Sequence, residues 1–313
     1  MPASEPLAVN DRPARRPAGL LAPLALGILV AACSSGAPAT PSSSPSAPSP
    51  GVPTPGPAGV VIHASWTQAL PPRSTFGNLP VLVVTTDGRA LTPGPMLEIY
   101  PGPLVAPFVE RPISPKGVAA LLQAAKDAGI LGPGTDFTGG AMPMGAAAAR
   151  LQIVVDGVTH DLVGDANAVA PCPPTEACPE AVPGTPAAFA RFWYRLLDMA
   201  GWLEPELGAE QPHVPASYAV IVGPPPEPWP GAAPIVWPVA DPVLGAFGAP
   251  VRGEPGTRCG IATGELAAAL RPAFAGATQL TQFVATASAS STRGLTVRAL
   301  LPGDADPCAP IVE

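Results

Sequence analysis

Residues Arg150–Val163 read RLQIVVDGVTHDLV. Leu151, Ile153 and Val155 alternate with Gln152 and, less cleanly, with Val154, which is the period of a half-buried strand. Asp156-Gly157 follows, and Val158 to Val163 closes the stretch. A D-G pair between two such runs predicts a β-hairpin, because both central residues of a type I′ turn need positive φ. Leu79–Leu91, LPVLVVTTDGRAL, has the same arrangement around Asp87-Gly88. Hairpins of this kind point to antiparallel sheet rather than regular βαβ units.

Working outward, Gly59–Ser65 (GVVIHAS) reads as a first strand and Met96–Tyr100 as another. Ser114-Pro115 opens a helix, with Ser as N-cap and Pro at the first position. Val118, Leu121, Leu122 and Ala125 form its apolar stripe, and Gly129 is its stop signal. Thr185-Pro186 opens a stronger helix, in which Phe189, Phe192, Trp193, Leu196, Leu197 and Ala200 fall on one face. Beyond residue 210, strands are predicted at Tyr218–Val222, Arg258–Ile261, Gln279–Thr286 and Leu295–Leu300. Thr263 should cap a short helix through Leu270, which Pro272 interrupts. Pro224–Pro238 (PPPEPWPGAAPIVWP) cannot sit in the middle of a sheet. The expectation is an α+β fold: mostly antiparallel sheets with two or three packed helices. It would be divided as 58–210 and a smaller 211–313, or run as one continuous unit.

The N-terminal segment has a different character. Arg12, Arg15 and Arg16 precede an apolar run, Ala18–Ala32, which ends in Val30-Ala31-Ala32-Cys33. The run would be roughly 22 Å long as a helix, short of a hydrocarbon core of roughly 30 Å, and it contains Pro23. A basic start, an apolar run and small residues make residues 1–32 a signal peptide. With Cys33 at its end, the segment resembles the lipobox of bacterial lipoproteins. That resemblance implies thioether lipidation of Cys33, cleavage before it, and a cell-membrane location facing outside the cytoplasm. Residues 33–57, rich in Ser, Pro, Ala and Gly and without charge, would be a tether. As an extended polyproline-like spacer it would reach at most about 70 Å.

The whole chain carries 16 basic and 23 acidic residues, a net charge of −7, which argues against a nucleic-acid partner. With Cys33 given to lipid, Cys172, Cys178, Cys259 and Cys308 remain. Exported chains keep disulfides, and proximity favours Cys172–Cys178 and Cys259–Cys308 among the three connectivities. No C-x-x-C is present and His63, His160 and His213 are far apart in sequence, so no metal is expected.

Motifs for hydrolases, nucleotide binding or zinc are missing, and no cofactor is expected. His160 beside Asp161 is the best-placed histidine, but adjacent strand residues point to opposite faces. Asp304 and Asp306 lack the ligand density of a Ca²⁺ loop. Trp229 and Trp237, in the Pro-rich loop, are a candidate binding surface. A tryptophan clasped on proline is the structural alternative.

Two longer stretches carry a further resemblance. They are NLPVLVVTTDGRALTPGPMLEIYPGPLVAPFVERPISPKGVAALLQAAKDAGILG and the C-terminal VRALLPGDADPC. Both are similar to a pattern in uncharacterised exported lipoproteins of high-GC bacteria, a group that implies no particular activity. The expectation is therefore a membrane-tethered lipoprotein with a non-enzymatic extracytoplasmic domain that binds an envelope partner or is structural. The alternative is a tethered hydrolase of unrecognised type using Asp136, His160, Asp161 and Asp165.

Overall fold

The computed structural model describes residues 59–68, 71–96, 98, 100–140, 146–167, 181–287 and 291–313. Cys33, the tether and the loop with Cys172 and Cys178 lie outside these residues. The first sheet contains β1 (Val60–Thr67), β2 (Pro80–Thr85), β3 (Arg89–Pro93), β4 (Phe108–Pro112), β5 (Asp136–Phe137), β6 (Ala148–Val155), β7 (Val158–Gly164) and β8 (Gln211–Pro212). Their order is β5-β7-β6-β1-β2-β3-β4-β8. The second sheet contains β9 (Ser217–Gly223), β10 (Ile235–Val236), β11 (Ala249–Pro250), β12 (Arg258–Thr263), β13 (Gln282–Val284) and β14 (Thr292–Leu300). Its order is β10-β13-β14-β9-β12-β11. All neighbours are antiparallel except β5 with β7 and β10 with β13. With helices α1 (Pro72–Thr75), α2 (Pro115–Asp127), α3 (Pro186–Leu197), α4 (Met199–Leu203) and α5 (Gly264–Ala275), the fold is α+β.

The opening hairpin forms as its sequence dictates. Val155 pairs with Val158, leaving a two-residue loop in which Asp156 has φ 49° and Gly157 φ 76°. The other D-G hairpin is different. Its last pair is Val84 with Ala90, and Gly88 donates to the Thr85 carbonyl at 3.1 Å, with only the glycine at positive φ. The fully buried Thr85 hydroxyl donates to the Asp87 carboxylate and accepts from the Arg89 N–H at 3.1 Å. This side-chain link spans a wider turn, with glycine only at its left-handed position.

Two of the three expected caps make their side-chain bond, while Thr263 stands at the N-cap of α5 without one. The Ser114 hydroxyl accepts from Gly117 N–H, and that of Thr185 from Ala188 N–H. Helix α3 buries Phe189, Phe192, Trp193 and Leu196 against β1, β6 and β7, where α2 adds Leu121 and Ala125. Leu197 and Ala200 leave the expected stripe. The chain turns at Asp198 (φ −101°, ψ 39°) and restarts as α4, exposing both and burying Met199 and Leu203 instead. Helix α5 runs past Leu270 and through Pro272 to Ala275, because the buried stripe of Ala267, Leu270 and Phe274 continues beyond the proline. Among the described residues of 96–100 there is no strand; Pro95 and Pro101 flank them, and neither has an N–H for a ladder.

From Ile62 to Thr67, β1 pairs in continuous register with β6 and its side chains alternate between the two faces. Ile62, Ala64, Leu151 and Ile153 face the helices. His63, Ser65, Thr67, Arg150 and Gln152 therefore share the other face.

Phe192→Ala should cost about 3–5 kcal/mol in urea unfolding, by loss of burial plus the residual cavity. Gly164→Ala should cost about 1–3 kcal/mol, because a Cβ there would overlap the Phe189 ring. Near-neutral values for both would mean that α3 does not pack on β7.

Candidate functional site

The helix-free face of the first sheet is covered at one end by an apolar cluster of Val83, Leu91, Phe108 and Leu301. At the other end it forms the floor of a cleft of about 580 Å³, walled by Thr75–Asn78 on one side and Gly303–Pro310 on the other.

Asp304 holds the cleft together. Its Oδ1 accepts from His63 Nε2 on β1 at 3.3 Å and from Arg298 Nη2 on β14 at 2.9 Å. Its Oδ2 accepts from the Leu301 N–H at 3.0 Å. The side chains of Asp304, Arg298 and His63 are 3%, 12% and 14% exposed. Burial by itself would push the Asp304 carboxyl up. The His63 hydrogen bond, the Arg298 charge and the Leu301 N–H outweigh burial and hold it below its ordinary value. Donation from Nε2 assigns the proton of a neutral His63 to that atom and leaves Nδ1 as an acceptor.

The wall that carries Asp304 is anchored separately. Cys308 is disulfide-bonded to Cys259 on β12, with Cα atoms 5.5 Å apart. Both cysteines pack with Phe76, Ile221, Val251 and Ile311. The final residues add to the sheet edge, where Arg252 N–H donates to the Ile311 carbonyl and Glu313 N–H to that of Pro250.

Of the residues read from the sequence as acid/base candidates, the structure brings few together. Asp161 is on the cleft face of β7, paired with Arg150 through bonds of 2.8 and 2.5 Å; that partner lowers its pKa. His160 is on the opposite face with Leu162, against a separate hollow that includes Lys126, Leu131 and Val158. Asp136 and Asp165 cap local turns, accepting from Thr138 N–H and Asn167 N–H at 2.8 Å each.

The Pro-rich loop splits its two tryptophans. Trp237 is 3% exposed, donates from Nε1 to the Pro242 carbonyl at 3.0 Å and stands edge-on to Phe247. It belongs to the core and not to a surface, because its indole fills the space between β10 and the turn before Phe247. Trp229 is 45% exposed and stands edge-on to Tyr100, at 6.3 Å.

His63, Arg298 and Asp304 were not assigned together from the sequence. One signal was available: His63, Ser65 and Thr67 occupy alternate positions of β1, a polar face on a strand otherwise rich in apolar residues. No group of three or more metal-ligating side chains occurs among the described residues, and no helix there is long and apolar enough to cross a membrane. Comparisons with protein-family models, with curated proteins and with solved structures find no match for the chain.

Asp304→Ala should cost about 3–5 kcal/mol, because the Arg298 guanidinium then stays buried without a counter-charge. A folded-state pKa lowered at Asp304 adds stability that is present above the unfolded carboxyl value of about 3.9 and is lost as pH falls through the folded value. Urea midpoints of the wild type should fall below about pH 4, and Asp304→Asn should flatten that fall. Cys308→Ser should cost about 4 kcal/mol for a loop of 49 residues. An unchanged urea midpoint in Cys308→Ser would mean that the disulfide does not hold the wall.

Proposed function

We propose that the chain is an exported bacterial lipoprotein. Cys33 carries the lipid, residues 33–57 are the tether, and the α+β part binds a component of the cell envelope in the cleft beside Asp304. The anchor rests on the basic residues 12–16, the apolar run and the Val30-Ala31-Ala32-Cys33 ending. More than one acyl chain is needed for stable anchoring, which the lipobox resemblance supplies.

The binding role rests on one observation. A cleft of about 580 Å³, within the size range of ligand sites, is lined by polar residues from both sheets and both chain halves. The hydrolase reading has one point in its favour: a histidine oriented by a carboxylate, with Ser65 two residues away on the same strand face. No hydrogen bond links Ser65 to His63 among the described residues, and Arg298 shares the carboxylate. The spread of Asp136, His160, Asp161 and Asp165 over two faces and two turns supports binding over hydrolysis.

Two measurements test the proposal. Cys33→Ala should lose palmitate labelling and detergent partition; a mutant that still labels overturns the anchor. Full-length protein in detergent micelles should be retained on washed cell-envelope material, and Thr67→Trp, which fills the cleft, should reduce retention at least ten-fold without lowering the melting temperature. Equal retention of the two proteins would overturn the cleft as the binding site.

A further inference from the structure

The cleft's charges are nearly all committed. Arg150 is bound by Asp161, and Arg298 by Asp304 together with the Phe76 carbonyl at 3.4 Å. His63 gives its Nε2 proton to the same Asp304. The one charged side chain in the lining without an opposite partner is Asp306, exposed on the wall, where one oxygen accepts from Cys308 N–H at 2.7 Å. A negative ligand would thus meet an unpaired carboxylate and no free cation, which is a repulsive arrangement. A positive ligand would find one exposed carboxylate, with the rest of the acidic groups already bound.

The neutral polar groups are in the opposite state. Ser65, Thr67, Gln68 and Asn78 line the cleft, and none of their side chains has a hydrogen-bond partner among the described residues. Two hydroxyls and two carboxamides offer both donors and acceptors. Trp66 borders the cleft, but its half-buried ring is on the helix side of β1, in edge contact with Trp193 at 4.9 Å. A second hollow of about 620 Å³ shares Trp66, Gln68 and Asn78 with the first.

We infer that this cleft binds a neutral saccharide. A sugar ring presents a rim of hydroxyls, each both donor and acceptor, which fits uncommitted amides and hydroxyls. Asp306 adds an acceptor for hydroxyl protons while rejecting acidic sugars. This inference rests on the cleft being the envelope-binding site and narrows what occupies it.

The experiment titrates the full-length protein, in detergent micelles, with neutral hexose, pentose and N-acetylhexosamine oligosaccharides. Uronic-acid and phosphorylated counterparts are titrated at the same ionic strength, followed by tryptophan fluorescence and calorimetry. At least one neutral series should bind, and its anionic counterpart should bind at least ten-fold more weakly. Gln68→Ala with Asn78→Ala should weaken neutral binding at least ten-fold with an unchanged melting temperature. Asn78 is exposed and Gln68 half-buried, and the wild-type preference for neutral over anionic ligands is a test that needs no variant. Anionic binding equal to or tighter than neutral, or neutral binding indifferent to both substitutions, would overturn the inference. Cleft-dependent retention on envelope material with no response to any saccharide would overturn it while leaving the proposed function standing. Loss of retention by the unmodified protein would instead remove the proposed function itself.

Discussion

The Asp304 carboxylate accepts from His63 on the first sheet and from Arg298 on the second, and those two residues come from the helix-free faces of their sheets. Each sheet has already spent its other face on helices, the first on α2, α3 and α4 and the second on α5. Among the contacts that join the two halves are Leu301 on the first sheet, Phe76 on the second, Leu104 in the second core with its N–H on the Ala277 carbonyl, and this buried ion pair. Burying a carboxylate is costly unless it is paired and hydrogen-bonded. Asp304 meets that condition with three donors, one of them cationic, which is why its pKa is held down in spite of its burial. The Cys259–Cys308 disulfide makes the condition reachable. It closes the chain four residues beyond Asp304 and presses the segment onto β12, so the carboxylate is presented by a wall tied at both ends.

The hairpin at Asp156-Gly157, the caps Ser114 and Thr185, and most of the α3 stripe could be read from sequence because each is decided within a few residues. Positive φ at adjacent positions selects Asp-Gly whatever surrounds it. A hydroxyl before a proline caps a helix by local geometry. The errors have local causes of a different sort. Thr85 looked like part of a plain strand, yet its hydroxyl reorganises the first D-G turn. Pro272 looked like a stop, yet Phe274 beyond it is needed in the core. Leu197 and Ala200 continued the helical period, but the chain breaks at Asp198 and buries Met199 in their place.

The candidate site was hidden for a reason of distance along the chain. His63 and Asp304 are 241 positions apart, and no periodicity relates them. Asp304 was noticed only for its neighbour Asp306, in a cation-loop reading that the geometry does not use. His160 drew attention because an aspartate follows it, but strand alternation sends the two to opposite faces, where Asp161 reaches Arg150 instead. Trp237 and Trp229 share a loop and differ in whether their partner is buried. Phe247 and the Pro242 carbonyl, at the far end of the loop, claim the first and leave the second at the surface.

The polar floor of the cleft calls for an explanation beyond stability. Strand β1 is central in an eight-stranded sheet, with β6 on one side and β2 on the other, so its polar face is not the solvent concession of an edge strand. From the neighbouring strand β2 onward, the same face is closed by Val83, Leu91, Phe108 and Leu301. Extending that apolar cluster across positions 63, 65, 150 and 152 would bury more surface and remove the need for ion pairs. The chain instead places hydroxyls and amides there, cancels its arginines with aspartates, and holds a wall over them with a disulfide. A fold that departs from its own apolar pattern at one place, and supports that departure with a dedicated brace, is most simply understood as keeping that place open for something else to enter.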